Sequence, residues 1–174
     1  MKEDQKYPDH PDRFCRNIQV LSRESLTGRC YWEVEWCGRS EAHIAVTERK
    51  ERSDDYQFGS TLDSWCLDCK KNIHSVQFNS VESQVSGPVL FRIGVYLDHS
   101  AGVLAFYNVS EGNMSLLHRV QATFTKPLYA GVSKDETRRA KLYLTRRETR
   151  RDVLRRVCER EKGLSGGSGE TLIH

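Results

Sequence analysis

The hexapeptide Tyr31-Trp32-Glu33-Val34-Glu35-Trp36 decides the fold class of this 174-residue chain. Its residues alternate, so an extended backbone would place Trp32, Val34 and Trp36 on one face and the two glutamates on the other. Such a pattern is typical of a strand with one face in a core and one face toward solvent. The hexapeptide therefore predicts a sheet protein in which the indoles are core residues.

Further strand signals lie on both sides of this hexapeptide. Alternation over Phe91–Leu97, turn residues over Asp98–Gly102 and alternation over Val103–Val109 predict a hairpin. Shorter strands are predicted at residues 18–21, 43–47, 116–120 and 127–132. Short strands separated by turn residues are typical of an antiparallel sandwich or barrel. The chain up to Val132 is thus expected to be all-β.

Composition points to one cytoplasmic domain without a membrane span. The chain is 37% hydrophobic and 29% charged, and its length suits a single core. No apolar run reaches the roughly 20 residues of a membrane-spanning helix, and residues 1–10 are polar where a signal peptide would be apolar. Without a signal peptide, the six cysteines are expected to be reduced thiols.

The C-terminal part differs in composition from the rest. Residues 134–162 hold twelve Lys or Arg against six Asp or Glu, a local charge of +6. A capping box at Thr145–Glu148 and a thin apolar stripe predict an appended basic helix over 145–162. The glycine-rich residues 163–174 are expected to be a flexible tail, which leaves 1–144 for the β-sandwich.

The order of several segments resembles B30.2 domains, which combine a PRY and a SPRY part. These segments are Tyr7–Phe14, Leu26–Glu35, Ile44–Val46, Ser64–Leu67, Ile93–Asp98 and Pro127–Tyr129. The resemblance implies two packed antiparallel sheets, no cofactor and no catalysis. It also implies the target-recognition role that such domains have in tripartite-motif ubiquitin ligases, butyrophilins and NOD-like receptors of innate immunity. Only six residues precede Tyr7, so the PRY strands are expected to be incomplete, and Leu142–Leu144 is expected to close the sandwich.

The resemblance also implies where a protein partner would bind. In relatives, loops at one end of the sandwich form the pocket, which collects residues just after the Ser-Trp segment, the loop after the Ile-Ala-Val strand and the loop after the Pro-Leu-Tyr segment. Carried onto this chain, these positions are Asp68, Lys70, Arg49, Arg52, Asp54, Asp55, Lys134 and Asp135.

Catalytic and metal-binding alternatives have weaker support. The segment 163–167 matches a Gly-x-Ser-x-Gly nucleophile elbow, but it follows a predicted helix rather than a strand, so no catalytic residue is assigned. Asp98 is expected to fix the hairpin turn through its side chain. Cys66 and Cys69, even with His74, lack the second ligand pair of a structural zinc site. No metal is assigned, and both cysteines are expected to be small buried thiols.

The basic segment offers a second functional class. Its positive charges could bind RNA, DNA or an anionic surface through Arg138 to Arg160. However, Tyr143 is its single aromatic residue, whereas binders of single-stranded nucleic acid use several for stacking. A solvated, salt-bridged helix is therefore favoured, and nucleic-acid binding is the alternative to protein recognition.

Overall fold

The computed structural model describes residues 19–35, 41–48, 56–70, 73–85, 92–110, 113–134 and 143–145. Trp36 and residues 146–174 lie outside these ranges. The expected basic helix, apart from Thr145, and the whole expected tail therefore also lie outside the described residues. Thr145, placed at the start of that helix by sequence, ends a strand instead. No helix among the described residues is long and apolar enough to cross a bilayer.

The described residues form eleven strands. Their bounds are β1 Gln19–Leu21, β2 Arg29–Glu35, β3 Ala42–Glu48, β4 Ser64–Cys69, β5 His74–Phe78, β6 Val81–Val85, β7 Arg92–Asp98, β8 Val103–Ser110, β9 Asn113–Gln121, β10 Leu128–Lys134 and β11 Tyr143–Thr145. Each predicted strand is present, and β11 overlaps the expected closing strand. The hairpin of β5 and β6 was not predicted.

Two antiparallel sheets account for all of these strands. The first sheet has the order β1-β10-β3-β4-β5-β6, and the second sheet has the order β11-β2-β7-β8-β9. The expected hairpin is formed by β7 and β8, with Asp98 opposite Val103. The expectation of an antiparallel β-sandwich is thereby confirmed.

The core lies between the sheets and contains the indoles of Trp32 and Trp65. Trp32 and Val34 of β2 are buried, whereas Tyr31, Glu33 and Glu35 are half-buried on the opposite face, as the alternation predicts. Trp65 stacks on Phe78 with ring centroids 5.3 Å apart and meets Phe124 edge to face at 5.1 Å. Aromatic pairs of this kind bury much of the apolar area of a small domain.

A second, smaller cluster covers part of the outer face of the first sheet. Tyr56 and Phe58 precede β4 and pack against Ala45 of β3 and Cys66 of β4, with Leu21 at the edge. The Phe58 ring lies directly over Gly131, where an added Cβ would come within 2.7 Å of the ring. Gly131 is therefore required by the close approach of this ring rather than by a turn.

Turn chemistry explains the two hairpins. In the β7–β8 hairpin the Asp98 carboxylate accepts hydrogen bonds from the Ser100 hydroxyl at 2.9 Å and the Ala101 amide at 3.0 Å, which confirms the role expected for Asp98. The β5–β6 hairpin has two central residues, Asn79 and Ser80, with φ values of 49° and 60°. Positive φ at both positions is the type I′ geometry that suits the twist of a two-residue hairpin.

Candidate partner-binding surface

A row of polar side chains crosses all six strands on the outer face of the first sheet. The register places its members directly opposite one another from strand to strand. We call this the polar row, and its members are Gln19, Ser133, His43, Asp68, Ser75 and Gln84. Because side chains alternate along each strand, the neighbours of the row on the inner strands, such as Ile44, Leu67 and Val76, point into the core. The row is thus presented by a rigid sheet.

Asp68 is the most buried charged residue of the row, with 8% of its surface exposed. Its Oδ2 accepts a charge-assisted hydrogen bond from Lys70 Nζ at 2.8 Å. Its Oδ1 lies 3.7 Å from His43 Nδ1 and has no hydrogen-bond partner within the described ranges. A buried carboxylate oxygen without a donor is unfavourable, and because Oδ1 is itself covered, a bound group reaches it only when a neighbouring side chain moves aside.

Lys70 and Glu82 extend this site toward the sheet edge. Lys70 Nζ lies 3.9 Å from Glu82 Oε1, and that same oxygen accepts a hydrogen bond from the Ser75 hydroxyl at 2.5 Å. The hydrogen bond to Asp68 raises the pKa of Lys70, so the ammonium stays protonated. The result is a connected group of one cation and two carboxylates that presents both signs of charge.

The other half of this face is closed by the Tyr56–Phe58 segment. Gln19 marks the boundary, since its Nε2 donates to the Tyr56 carbonyl at 3.0 Å while its Oε1 is buried and lacks a donor among the residues described. One row further along the strands, Gly131, Ala45 and Cys66 lie beneath aromatic rings. The polar row therefore runs beside the Tyr56–Phe58 segment, which rises above the outer face of the first sheet.

Only some of the predicted site residues can be placed. Asp68 and Lys70 form the ion pair described above, and the backbone of Lys134 pairs with Ala42, which in turn pairs with Cys69 at the same end of the sheet. The Lys134 side chain lies outside the described part of the structure, as do Arg49, Arg52, Asp54, Asp55 and Asp135. Their roles stay predictions.

Six members of the site were not predicted to contribute to it, namely Gln19, Ser133, His43, Ser75, Glu82 and Gln84. The sequence pattern predicted no partner-binding role for His43 and no strand over residues 74–85. Alternation of Val76 and Phe78 before Asn79-Ser80 was the one signal that could have revealed the hairpin. Asp68 is opposite both His43 and Ser75, so the cross-strand register was needed to bring them together.

Cys66 and Cys69 are buried free thiols, as expected. They point to opposite faces of β4, since Cys66 contacts the outer cluster and Cys69 contacts the main core. Burial raises the pKa of both thiols, and the nearby Asp68 carboxylate raises it further. Two thiols on opposite faces of one strand cannot bind the same ion.

Residues 29–147 match the family model of the SPRY domain. The chain belongs to the SPRY family. Its resemblance to the B30.2 domains of tripartite-motif proteins is thereby confirmed. SPRY domains are non-catalytic protein-interaction modules, and they occur in the tripartite-motif ubiquitin ligases.

Relatives of this SPRY chain include toxins as well as tripartite-motif proteins. It is 36% identical over 134 residues to stonustoxin subunit alpha of Synanceia horrida, covering 74% of this chain and 19% of the toxin subunit. It is 35% identical over 133 residues to tripartite motif-containing protein 14 of Mus musculus, covering 70% of this chain and 29% of that protein. The SPRY chain therefore spans less than a third of the length of either relative.

Solved structures agree with the fold of this SPRY chain. The stonustoxin structure superimposes with a TM-score of 0.73 at 32% identity, over 83% of this chain and 24% of that one. The TRIM65 PSpry domain superimposes with a TM-score of 0.66 at 24% identity, over 75% of this chain and 70% of that one, and this likeness concerns the fold alone.

Proposed function

We propose that this SPRY chain recognises a protein partner through the polar row and catalyses no reaction itself. The observation that carries this proposal is the Asp68 carboxylate, which is nearly buried and has one oxygen without a hydrogen-bond donor in the described part of the chain. A partner that displaces the half-buried His43 ring, 3.7 Å away, and donates a hydrogen bond to Oδ1 would satisfy this oxygen. Recognition surfaces commonly place polar groups of this kind on a rigid scaffold.

The cluster around Asp68 further restricts the partner chemistry. Lys70 carries one positive charge, whereas Asp68 and Glu82 carry two negative charges within ion-pair distance of it. The excess of carboxylate favours a partner segment that brings an amide, hydroxyl or cationic donor over one that brings a carboxylate. Tyr56 and Phe58 form a raised aromatic edge beside the polar row, and such a segment can pack against this edge.

The biological setting of this proposal follows the family resemblance. The chain would serve as the target-recognition part of a protein of the ubiquitin-ligase or innate-immune receptor type, in the cytoplasm. The free thiols of Cys30, Cys66 and Cys69 support a reducing compartment. The alternative of nucleic-acid binding through Arg138 to Arg160 stays a prediction, because those residues lie outside the described ranges.

A partner-capture experiment with matched ion-pair variants tests the proposal. The full chain and four variants would be immobilised, and proteins retained from cell extract would be quantified by mass spectrometry. Asp68→Asn and Lys70→Ala break the pair in the polar row. Glu48→Gln and Lys126→Ala break a pair of equal length, 2.8 Å, that joins Lys126 to the last residue of β3, at the end of the strand away from His43.

We expect the two polar-row variants to lose about tenfold in capture of a specific partner, since a buried charge-assisted pair at an interface is worth about 1.4 kcal/mol or more. The two control variants should capture the partner as the unmodified chain does. Equal capture by all four variants would show that the polar row is not the recognition surface.

A further inference from the structure

One edge of the first sheet is a strand that has a single neighbour among the described residues. This strand is β6, which is last in the strand order and pairs there with β5 alone. Four of its five residues are exposed, and Val81 has 64% of its surface exposed. The edge of a sheet presents backbone N–H and C=O groups to which another strand can add.

The turn of the β5–β6 hairpin determines which backbone groups of β6 face outward. The two-residue turn at 79–80 makes Val81 the first residue of β6 to form a hydrogen-bonded pair with β5. Hydrogen-bonded and non-hydrogen-bonded pairs alternate along an antiparallel hairpin. Glu82 and Gln84 are therefore the residues whose N–H and C=O groups point away from β5. A strand added at this edge would form its hydrogen bonds with these two residues.

The sequence of β6 is complementary to itself in the antiparallel direction. Val81-Glu82-Ser83-Gln84-Val85 is symmetric about Ser83 in its apolar and polar positions. A two-fold axis at Ser83 would place Glu82 opposite Gln84 of a second copy, and these are the residues whose backbone groups face outward. The Gln84 side-chain amide could then donate to the Glu82 carboxylate across the pair. The same axis would place Val81 opposite Val85 of the second copy.

Charge favours this register over the neighbouring ones that the backbone permits. A shift of two residues in one direction would place Glu82 opposite Glu82 of the second copy, and like charges directly opposite one another are destabilising. The same shift in the other direction would place Gln84 opposite Gln84 of the second copy and separate Val81 from Val85. The register centred on Ser83 pairs the valines and keeps the carboxylates apart.

The sequence of β6 lacks features that commonly keep sheet edges from pairing. It contains no proline and no lysine, and its pairing with β5 proceeds without a bulge. Natural sheets use these features to prevent edge-to-edge association. Glu82 is the one charged residue of β6, and in the register centred on Ser83 it meets a neutral residue. The charge on this edge is therefore compatible with a second copy of the chain.

We propose that this chain forms a weak homodimer in which β6 pairs antiparallel with β6 of a second copy about Ser83. The pairing joins the first sheets of the two copies into one continuous sheet and brings the exposed Val81 into contact with Val85. Two such short strands bury less than the roughly 1,000 Å² of a stable interface, so we expect a dissociation constant of about 100 μM. The dimer forms without any other protein, so it is independent of partner recognition by the polar row.

Sedimentation velocity of the purified full chain over a concentration series tests this proposal. Gln84→Lys places a cation opposite Glu82 of the second copy, and the two-fold axis repeats this contact, so we expect association about tenfold tighter than that of the unmodified chain. Gln84→Glu places a like charge there and should weaken association about tenfold. The controls Gln57→Lys and Gln57→Glu make the same charge changes at an exposed residue outside β6 and should have no effect.

Disulfide capture tests the position of the two-fold axis. With the axis at Ser83, the thiols of Ser83→Cys lie opposite each other, at the Cα separation of about 4.5 Å of a non-hydrogen-bonded pair, which a disulfide can span. The thiols of Glu82→Cys are related diagonally at about 7–8 Å, which a disulfide does not span. On oxidation we expect Ser83→Cys to give more covalent dimer than the unmodified chain, and Glu82→Cys to give no more than that background.

Three results would overturn the proposal. The first is sedimentation as a monomer up to about ten times the expected dissociation constant. The second is a change of association in the same direction in both Gln84 variants, and the third is equal covalent dimer from Ser83→Cys and Glu82→Cys. Urea unfolding of each variant checks that it is folded. These measurements contain no partner protein, so their failure leaves the capture experiment on the polar row unaffected.

Discussion

Replacement of Phe58 by alanine removes the ring that closes the outer face of the first sheet. Phe58 is 4% exposed and packs with Tyr56, Ala45 and Cys66, with its ring over Gly131. Buried Phe→Ala substitutions cost about 3–5 kcal/mol. The cluster has four buried members and lies at the protein surface, where neighbours can relax, so we expect the lower end, about 3 kcal/mol. That is a large part of the roughly 5–15 kcal/mol that stabilises a domain.

Urea unfolding followed by tryptophan fluorescence measures this loss. With a slope of about 2 kcal/mol per M, a loss of about 3 kcal/mol lowers the unfolding midpoint by about 1.5 M. The control is Leu62→Ala, since Leu62 precedes the same strand and is 67% exposed. We expect that change to stay within about 0.5 kcal/mol.

A second readout distinguishes loss of the cover from a general loss of packing. Cys66 is fully buried beneath this cluster, so its thiol should react with a maleimide under native conditions in Phe58→Ala but not in the unmodified chain. A destabilisation below about 1 kcal/mol together with an unreactive Cys66 would refute the reasoning that Phe58 closes this face.

Three further predictions concern the same framework. Asp98→Ala leaves the Ala101 amide and Ser100 hydroxyl without their acceptor, so we expect a loss of about 2 kcal/mol in urea unfolding, and a loss below about 0.5 kcal/mol would contradict it. Tyr56→Phe removes the 2.6 Å hydrogen bond to the Thr47 hydroxyl and should cost about 1 kcal/mol by the same assay, whereas a neutral effect would show that the bond contributes nothing. Burial raises the folded-state pKa of Cys66 above its ordinary value of 9.0, so the unfolded chain loses this proton first as pH rises. The contribution of Cys66 to stability should therefore be constant below about pH 8 and fall above about pH 9, and Cys66→Ala should reduce the slope of the urea midpoint against pH in that upper range; an unchanged slope would count against this assignment.

Alternation of apolar and polar residues was sufficient to predict most of the sandwich. It located β2, β3 and the β7–β8 hairpin, because alternate residues of each of these elements pack in the main core between the sheets. The same rule failed for β6, whose residues are exposed or half-buried, with Val81 64% exposed. An edge strand with little burial on either face leaves no pattern, and Asn79-Ser80 is a less familiar hairpin turn than Asn-Gly.

The site was less predictable than the fold because it depends on contacts between distant residues. Asp68 and Lys70 were found by resemblance, but their connection to His43 and Glu82 arises from the pairing of four strands, β3 to β6. The aromatic wall was missed for a related reason. Tyr56 and Phe58 lie outside any strand, and no local pattern tells whether an apolar residue in a loop covers a sheet or faces solvent.

The alternation that creates the polar row also separates recognition from folding. Ser133 and His43 project from strands whose intervening side chains fill the core, so substitutions at these two positions leave core volume unchanged. A combinatorial library confined to them would explore new binding specificities on an unaltered scaffold. The chain could therefore serve as a scaffold for engineered binding proteins in which the varied positions lie on a sheet face instead of on loops.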